Sequence, residues 1–311
     1  MSASHGVGPT GLTVVKGHGT ENDFVLVVDL EGTVDLNPAL VRALCDRRAG
    51  VGGDGVLRVV RTERIVGGDS VAPGTEFFMD YRNADGSMAE MCGNGLRVFV
   101  RYLAEAGLVA GAESIIGTRA GSLPTSIAAD GTITVVLGRP TWPQHPATVS
   151  AAGLNGPRAA TTVAVPNPHV VVELESPAEL EAVELIRAPV VEPAMPEGQN
   201  VEFVVRTGQR SVRMRVHERG VGETRSCGTG IAAVVAALAR ADAAEIPDGA
   251  RASSGSPLAA VGDGQIWQVD VPGGTCTVRW RADGHLELAG PAVIVGAVEL
   301  DSDWLAAASA A

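Results

Sequence analysis

The chain has one lysine, Lys16, in 311 residues. A pyridoxal phosphate enzyme needs a lysine for its Schiff base. The only candidate stands in a predicted strand ahead of a His-Gly turn, so chemistry without a cofactor fits better. Cysteine is also scarce: Cys45, Cys92, Cys227 and Cys276 are too few and too scattered for a disulfide framework. A reduced, cytoplasmic protein is expected. No cysteine pair has metal-ligand spacing and no two histidines share a helix face, so no metal site is expected. No apolar run approaches bilayer length. Residues 1–11 lack a basic segment followed by an apolar one, which argues against a signal peptide. Positive charge is short as well. A formal net charge of −12 disfavours nucleic acid and acidic membrane surfaces as partners, and leaves a small zwitterionic ligand open.

What the chain does have is a hydrophobic content of 45% against 19% charged residues, the balance of a globular protein long enough for two domains. It also has a repeated motif. Met91-Cys92-Gly93-Asn94-Gly95 runs into the apolar segment 96–106, and Ser226-Cys227-Gly228-Thr229-Gly230 runs into 231–239. Each reads as a Cys-Gly-x-Gly turn opening a buried helix, the second apolar all round and the first with a narrow stripe of Arg97, Arg101 and Glu105. A buried helix start presents unpaired N–H groups and partial positive charge. Glycines admit an anion to those amides, and a cysteine placed there has its thiolate stabilised.

The surrounding order repeats too. Each half reads as strand, polar turn, strand, helix, strand, strand, polar turn, cysteine, helix and further strands, with helices predicted at 38–45 and 177–187. Asn83 precedes Cys92 by nine residues, as Glu218 precedes Cys227. Asn22 and Asn167 occupy matching turns, with Asp54 and Asn200 following them by 32 and 33 residues. The Pro/Ala/Gly-rich segment 139–157 is the expected crossing, and 241–262 reads as a surface loop. The expectation is an α+β fold of two pseudo-symmetric domains, 1–138 with 297–311 and 139–296, each with mixed strands around a buried helix.

Two thiols and two helix starts facing one bound carboxylate would suit proton transfer on opposite faces of the neighbouring carbon, inverting a stereocentre. A lone cysteine before glycine is ordinarily a small buried hydrophobe. Duplication at two helix starts is what sets Cys92 and Cys227 apart, whereas Cys45 and Cys276 read as core. Asn22, Asn83, Asn167 and Asn200 taken singly are turn residues, and Glu218 and Arg219 taken alone are a surface ion pair.

Taken together, Lys16-x-His18-Gly19-x-x-Asn22-Asp23-Phe24, Asn83-Ala84-Asp85-Gly86, the Cys92 motif, Asn167-Pro168-His169 and Glu218-Arg219-Gly220-x-Gly222-Glu223-Thr224-x-x-Cys227-Gly228-Thr229-Gly230 resemble the diaminopimelate epimerase family over nearly the whole chain. The resemblance implies a pyridoxal-independent interconversion of L,L- and meso-diaminopimelate in lysine and cell-wall precursor synthesis, often by a homodimer. Carried over, it implies that Cys92 and Cys227 are the acid/base thiols and that His169 and Glu218 help them exchange protons. It further implies that the amides at Gly93-Asn94 and Gly228-Thr229 hold the reacting carboxylate, while Asn22, Asn83, Asn167, Asn200, Glu218 and Arg219 bind the rest of the substrate. The chain makes three departures from the family pattern: the pair Thr20-Glu21, Gly55 and Pro166. Two alternatives stay open, a proline or hydroxyproline racemase and a non-catalytic amino-acid-binding protein. Asn94, where racemases carry histidine, and the paired thiols are the discriminating features.

Overall fold

The computed structural model describes residues 12–143, 146–196, 198–244 and 264–310. The start of the chain and most of the segment read as a surface loop lie outside them; residues 241–244 of that segment continue a helix. The chain forms two compact units, one running through Val135 and resuming at Gly290, the other spanning Val136–Ala289.

Both units are built by one recipe. In the first, strands Thr13–Gly19, Asn22–Val28, Gly55–Arg61, Phe77–Asn83, Glu113–Thr118, Gly121–Ile127 and Ile133–Val136 pair in chain order. Successive pairings are antiparallel, parallel, antiparallel, parallel, antiparallel and antiparallel. In the second, Arg158–Val165, Asn167–Glu173, Asn200–Gly208, Ser211–Glu218, Ile266–Val271, Gly274–Trp280 and Leu286–Gly290 repeat that series of orientations. The duplication seen in the motifs is therefore present in the hydrogen-bond ladders.

Strand Val293–Glu299 returns to the first unit and pairs antiparallel with Thr13–His18 along its length. A boundary at 296/297 would cut this strand in two. The helix Ser302–Ala310 follows it and packs on the helix Pro38–Cys45. Asn37 ties the pair together. Its Oδ1 accepts from Leu40 N–H (2.9 Å), capping the shorter helix, and its Nδ2 donates to the Ser309 carbonyl (3.0 Å). Pro38 sits at the first helical position, where its missing N–H leaves no bond unmade.

One helix lies at the heart of each unit. Gly93–Glu105 packs against the strands 13–19, 22–28, 55–61, 77–83 and 293–299, and Gly228–Ala244 against 158–165, 167–173, 200–208 and 274–280. Every residue of Gly228–Ala239 is buried, which an Ala/Val/Ile sequence without a polar face requires. In the first helix Arg97 is fully buried, so the polar stripe seen in the sequence does not mark a solvent face. The opposite faces of the sheets carry outer cores. Val14, Val25 and Val27 meet the helices at 38–45 and 302–310, whereas Val170, Val172 and Phe203 meet Leu180 and the small sheet of Ala147–Ser150 and Val190–Glu192. The helix expected over 177–187 stops at Ala182. Val183 turns extended there and buries with Leu185 in that outer core, and Glu184 bridges to Ala152.

Candidate active site

In the first unit Cys92 is the N-cap of its helix, in extended conformation. Its sulfur accepts from Gly95 N–H (3.4 Å), and its S–H donates to Asn22 Oδ1 (3.7 Å). Asn94 Nδ2 donates to the same Asn22 oxygen (3.3 Å). The other end of the Asn22 amide is fixed, because its Nδ2 donates to Asp54 Oδ2 (2.7 Å). Asp54 is in turn gripped by Arg47 (2.6 Å), which also forks onto Asp23, itself paired with Lys16. The sole lysine is thus spent on Asp23 and the Gly52 carbonyl, a structural engagement. Burial and the neighbouring Asp23 push the Asp54 carboxyl above the usual range. Asp23 goes the other way: burial raises its carboxyl, but bonds from Arg47 and Lys16 outweigh that and hold it well below. Asn83 ends its strand opposite Gly55 and donates to Ser87 Oγ (3.0 Å), outside the Asn22 cluster.

The turn that delivers Asn22 is strained. Gly19 pairs with Asn22 across a two-residue hairpin whose central residues, Thr20 and Glu21, have φ of 51° and 59°. Such loops favour Asn-Gly because both positions need positive φ. A β-branched threonine there is uncommon. Its hydroxyl is buried, donating to the Gly19 carbonyl (2.7 Å) and accepting from Arg97 Nη2 (3.2 Å). The departure from the family pattern at 20–21 is therefore held in place by a buried arginine.

In the second unit the corresponding rungs carry titratable groups. His169 stands opposite Asn200 on parallel strands, and Val201 opposite His217, so Asn200 and Glu218 share one end of the sheet. Asn167 opens the His169 strand immediately after the turn at Pro166. Asn200 Oδ1 accepts from Arg219 N–H (2.9 Å), while the Arg219 side chain is exposed. Glu218 accepts from the Thr224 hydroxyl. Cys227 is buried, 3.6 Å from Thr229 Oγ1, at the start of the helix opened by Gly228 and Thr229. Burial first, and then the carboxylates of Glu218 and Glu202, push its thiol well above the ordinary range.

The register corrects one match. With Asn22-Asp23-Phe24 set against Asn167-Pro168-His169, Gly55 lies opposite Phe24 and Asn200 opposite His169. Asn200 therefore matches Gly55, and Asp54 lies one residue off that rung.

The sequence model of the diaminopimelate epimerase family matches residues 14–143 and 161–295. The chain belongs to that family. It is 50% identical over 299 residues to the diaminopimelate epimerase of Streptomyces coelicolor, covering 95% of this chain and 98% of the relative. It is 48% identical over 287 residues to that of Thermobifida fusca, covering 90% and 94%. Among solved structures it is similar to a hydroxyproline epimerase from Agrobacterium vitis, with a TM-score of 0.65, 15% identity and coverage of 95% and 94%. A predicted epimerase of Pseudomonas aeruginosa gives a TM-score of 0.62, 13% identity and coverage of 93% and 99%. These structural likenesses show a shared fold. Among the described residues no helix is long and apolar enough to cross a membrane.

Two residues that brace the candidate site residues Asn22 and His169 escape a motif reading. Asp54 orients Asn22 from one strand away. Glu202, fully buried, meets His169 Nδ1 at 2.7 Å. The only sequence signal for Glu202 is an acid within the otherwise apolar strand run 201–205.

Proposed function

We infer that this protein interconverts L,L- and meso-diaminopimelate with Cys92 and Cys227 as the acid/base pair and without pyridoxal phosphate. The observation that carries this reading is the repeated placement of a cysteine at a buried helix start in a chain that belongs to this family. The N–H groups after each cysteine suit the carboxylate beside the reacting carbon, and also stabilise the charge that develops when that carbon loses its proton. The thiols act on opposite faces, one removing the proton and the other supplying one, with roles exchanged in the reverse direction. Cys227, kept protonated by burial, Glu218 and Glu202, is the donor in the resting enzyme, and Cys92, whose S–H donates to Asn22 at rest, gives up that proton to act as the acceptor. His169 and Glu218 exchange protons with the thiols. Asn22, Asn83, Asn94, Asn167, Asn200 and Arg219 fix the rest of the substrate, Arg219 by a two-pronged grip on the distal carboxylate.

The reading includes a cytoplasmic homodimer feeding lysine and cell-wall synthesis. Exposed Val293, Val295 and Val298 on the returning strand support pairing of two copies, which light scattering on the purified protein tests. The activity itself is tested by proton NMR in D2O with L,L-diaminopimelate, and with proline as control. Two distinct thiols put solvent deuterium into the meso product while recovered starting isomer stays protonated. Exchange into the starting isomer ahead of epimerisation, or turnover of proline instead, would overturn the reading.

A further inference from the structure

We propose that Glu202 is a positioning carboxylate that holds His169 as its Nδ1–H tautomer, so that Nε2 is the atom that takes up and returns a thiol proton. The inference rests on the catalytic reading of His169 above and gives Glu202 a role beyond the effect of its charge on Cys227.

Both side chains are completely buried, with Glu202 Oε1 2.7 Å from His169 Nδ1. A carboxylate withdrawn from water is costly unless compensated. Its compensation here is twofold. One part is the imidazole N–H at Oε1, and the other is the start of the Cys227 helix with its partial positive charge, while Oε2 makes no hydrogen bond to the protein. The fit to that helix is tight. A Cβ on Gly230 would lie 2.6 Å from Glu202 Oε1, so glycine at 230 is what makes room for the carboxylate. An ionised carboxylate only accepts hydrogen bonds, which puts the proton of the 2.7 Å contact on Nδ1. Nε2 then carries a lone pair, and it makes no hydrogen bond to the protein.

When the proton of a thiol S–H moves to Nε2, the products are a thiolate and an imidazolium beside the Glu202 carboxylate. Return of that proton restores both neutral groups. The carboxylate lowers the cost of the intermediate charge and fixes which nitrogen keeps the lone pair, as an orienting acid does for a catalytic histidine elsewhere. The fold does not itself demand this pair. On the matching rungs of the first unit stand Phe24 and Leu57, both fully buried, and they pack against Gly95 where Glu202 packs against Gly230.

The test uses the full-length enzyme labelled with 15N-histidine, the His169 signal being assigned by its loss in His169→Gln. At about pH 8.5, where an ordinary imidazole is neutral, Nδ1 should give a protonated, pyrrole-like shift and Nε2 a pyridine-like one. Glu202→Leu, the residue of the first unit, should shift His169 toward the Nε2–H form. It should also lower kcat about 100-fold while KM stays within about threefold. Glu202→Gln keeps the shape should the leucine variant fold poorly, and by losing the charge it should lower kcat about tenfold at unchanged Tm. An Nε2–H tautomer in the wild type would overturn the proposal. So would folded Glu202→Gln or Glu202→Leu with kcat within about twofold of wild type while His169→Gln is inactive. Near-normal turnover by His169→Gln would instead remove the catalytic reading of His169, and this inference with it, whichever tautomer is found.

Discussion

The two cysteine helices sit on the same scaffold in opposite surroundings. Behind the Cys92 helix start, Phe24 and Leu57 make an apolar floor, and the thiol's listeners are neutral amides, Asn22 and Asn94. Behind the Cys227 helix start the same rungs hold His169 and Glu202, and Glu218 adds a second carboxylate. Cys92 is half-buried and Cys227 buried. Ladder orientation and helix position therefore settle where a thiol goes, whereas the residues one strand away set the charge around it, and at Cys227 burial and two carboxylates hold the proton on. An epimerase that must abstract on one face and donate on the other benefits from that inequality.

The most damaging way to break the comparison is to remove either sulfur. Cys92→Ala and Cys227→Ala should each lower kcat about a thousandfold or more with unchanged thermal melting, because the proposed mechanism uses each thiol once as acid and once as base. Retention of near wild-type epimerisation by either variant would mean that one half works alone. Next in size is Arg219→Lys. In the proposed grip on the distal carboxylate a point charge would replace a planar fork, and kcat/KM for diaminopimelate should fall about 30-fold, roughly 2 kcal/mol. An unchanged kcat/KM would place that carboxylate elsewhere.

The inequality of the thiols can be sharpened directly. Iodoacetamide at neutral pH should modify Cys92 about ten times faster than Cys227, since only the thiolate reacts and Cys227 is both buried and held protonated. Peptide mapping of partially alkylated protein gives the ratio, and equal rates would contradict the assignment of resting donor and acceptor. The smallest effect belongs to the hairpin before Asn22, which the second unit replaces by a turn at Pro166. Glu21→Gly removes a non-glycine residue from φ of 59° and should raise stability by about 1 kcal/mol, read from urea unfolding. A destabilised variant would show that the Glu21 side chain contributes more than its backbone costs.

Much of this was legible in the sequence, because the signals were local. Cys-Gly-x-Gly at 92–95 and 227–230, the cap at Asn37-Pro38, and the runs of branched residues each depend on neighbours in the chain. What escaped depended on partners far away. Nothing near Glu202 announces His169, which reaches it across a parallel ladder. The offset between Asp54 and Asn200 is a matter of strand register, which counting residues from Asn22 and Asn167 does not resolve. Arg97 reads as a polar stripe until its contacts with Thr20 and the Pro291 carbonyl bury it. Val183 reads as helix until the outer core claims it in extended form.

The return of the strand Val293–Glu299 to Thr13–His18 has a consequence for how the molecule is made. During synthesis residues 136–289 leave the ribosome ahead of the last strand of the first unit, so the second unit's chain becomes available to fold while the first still waits for its closing edge. Until strand 293–299 arrives, the strand at 13–19 presents an unpaired row of N–H and C=O groups on that side. The Cys92 helix, which packs against both of these strands, reaches its finished surroundings last. The Cys227 half is thus encoded without interruption, whereas the Cys92 half is closed by a strand from beyond it.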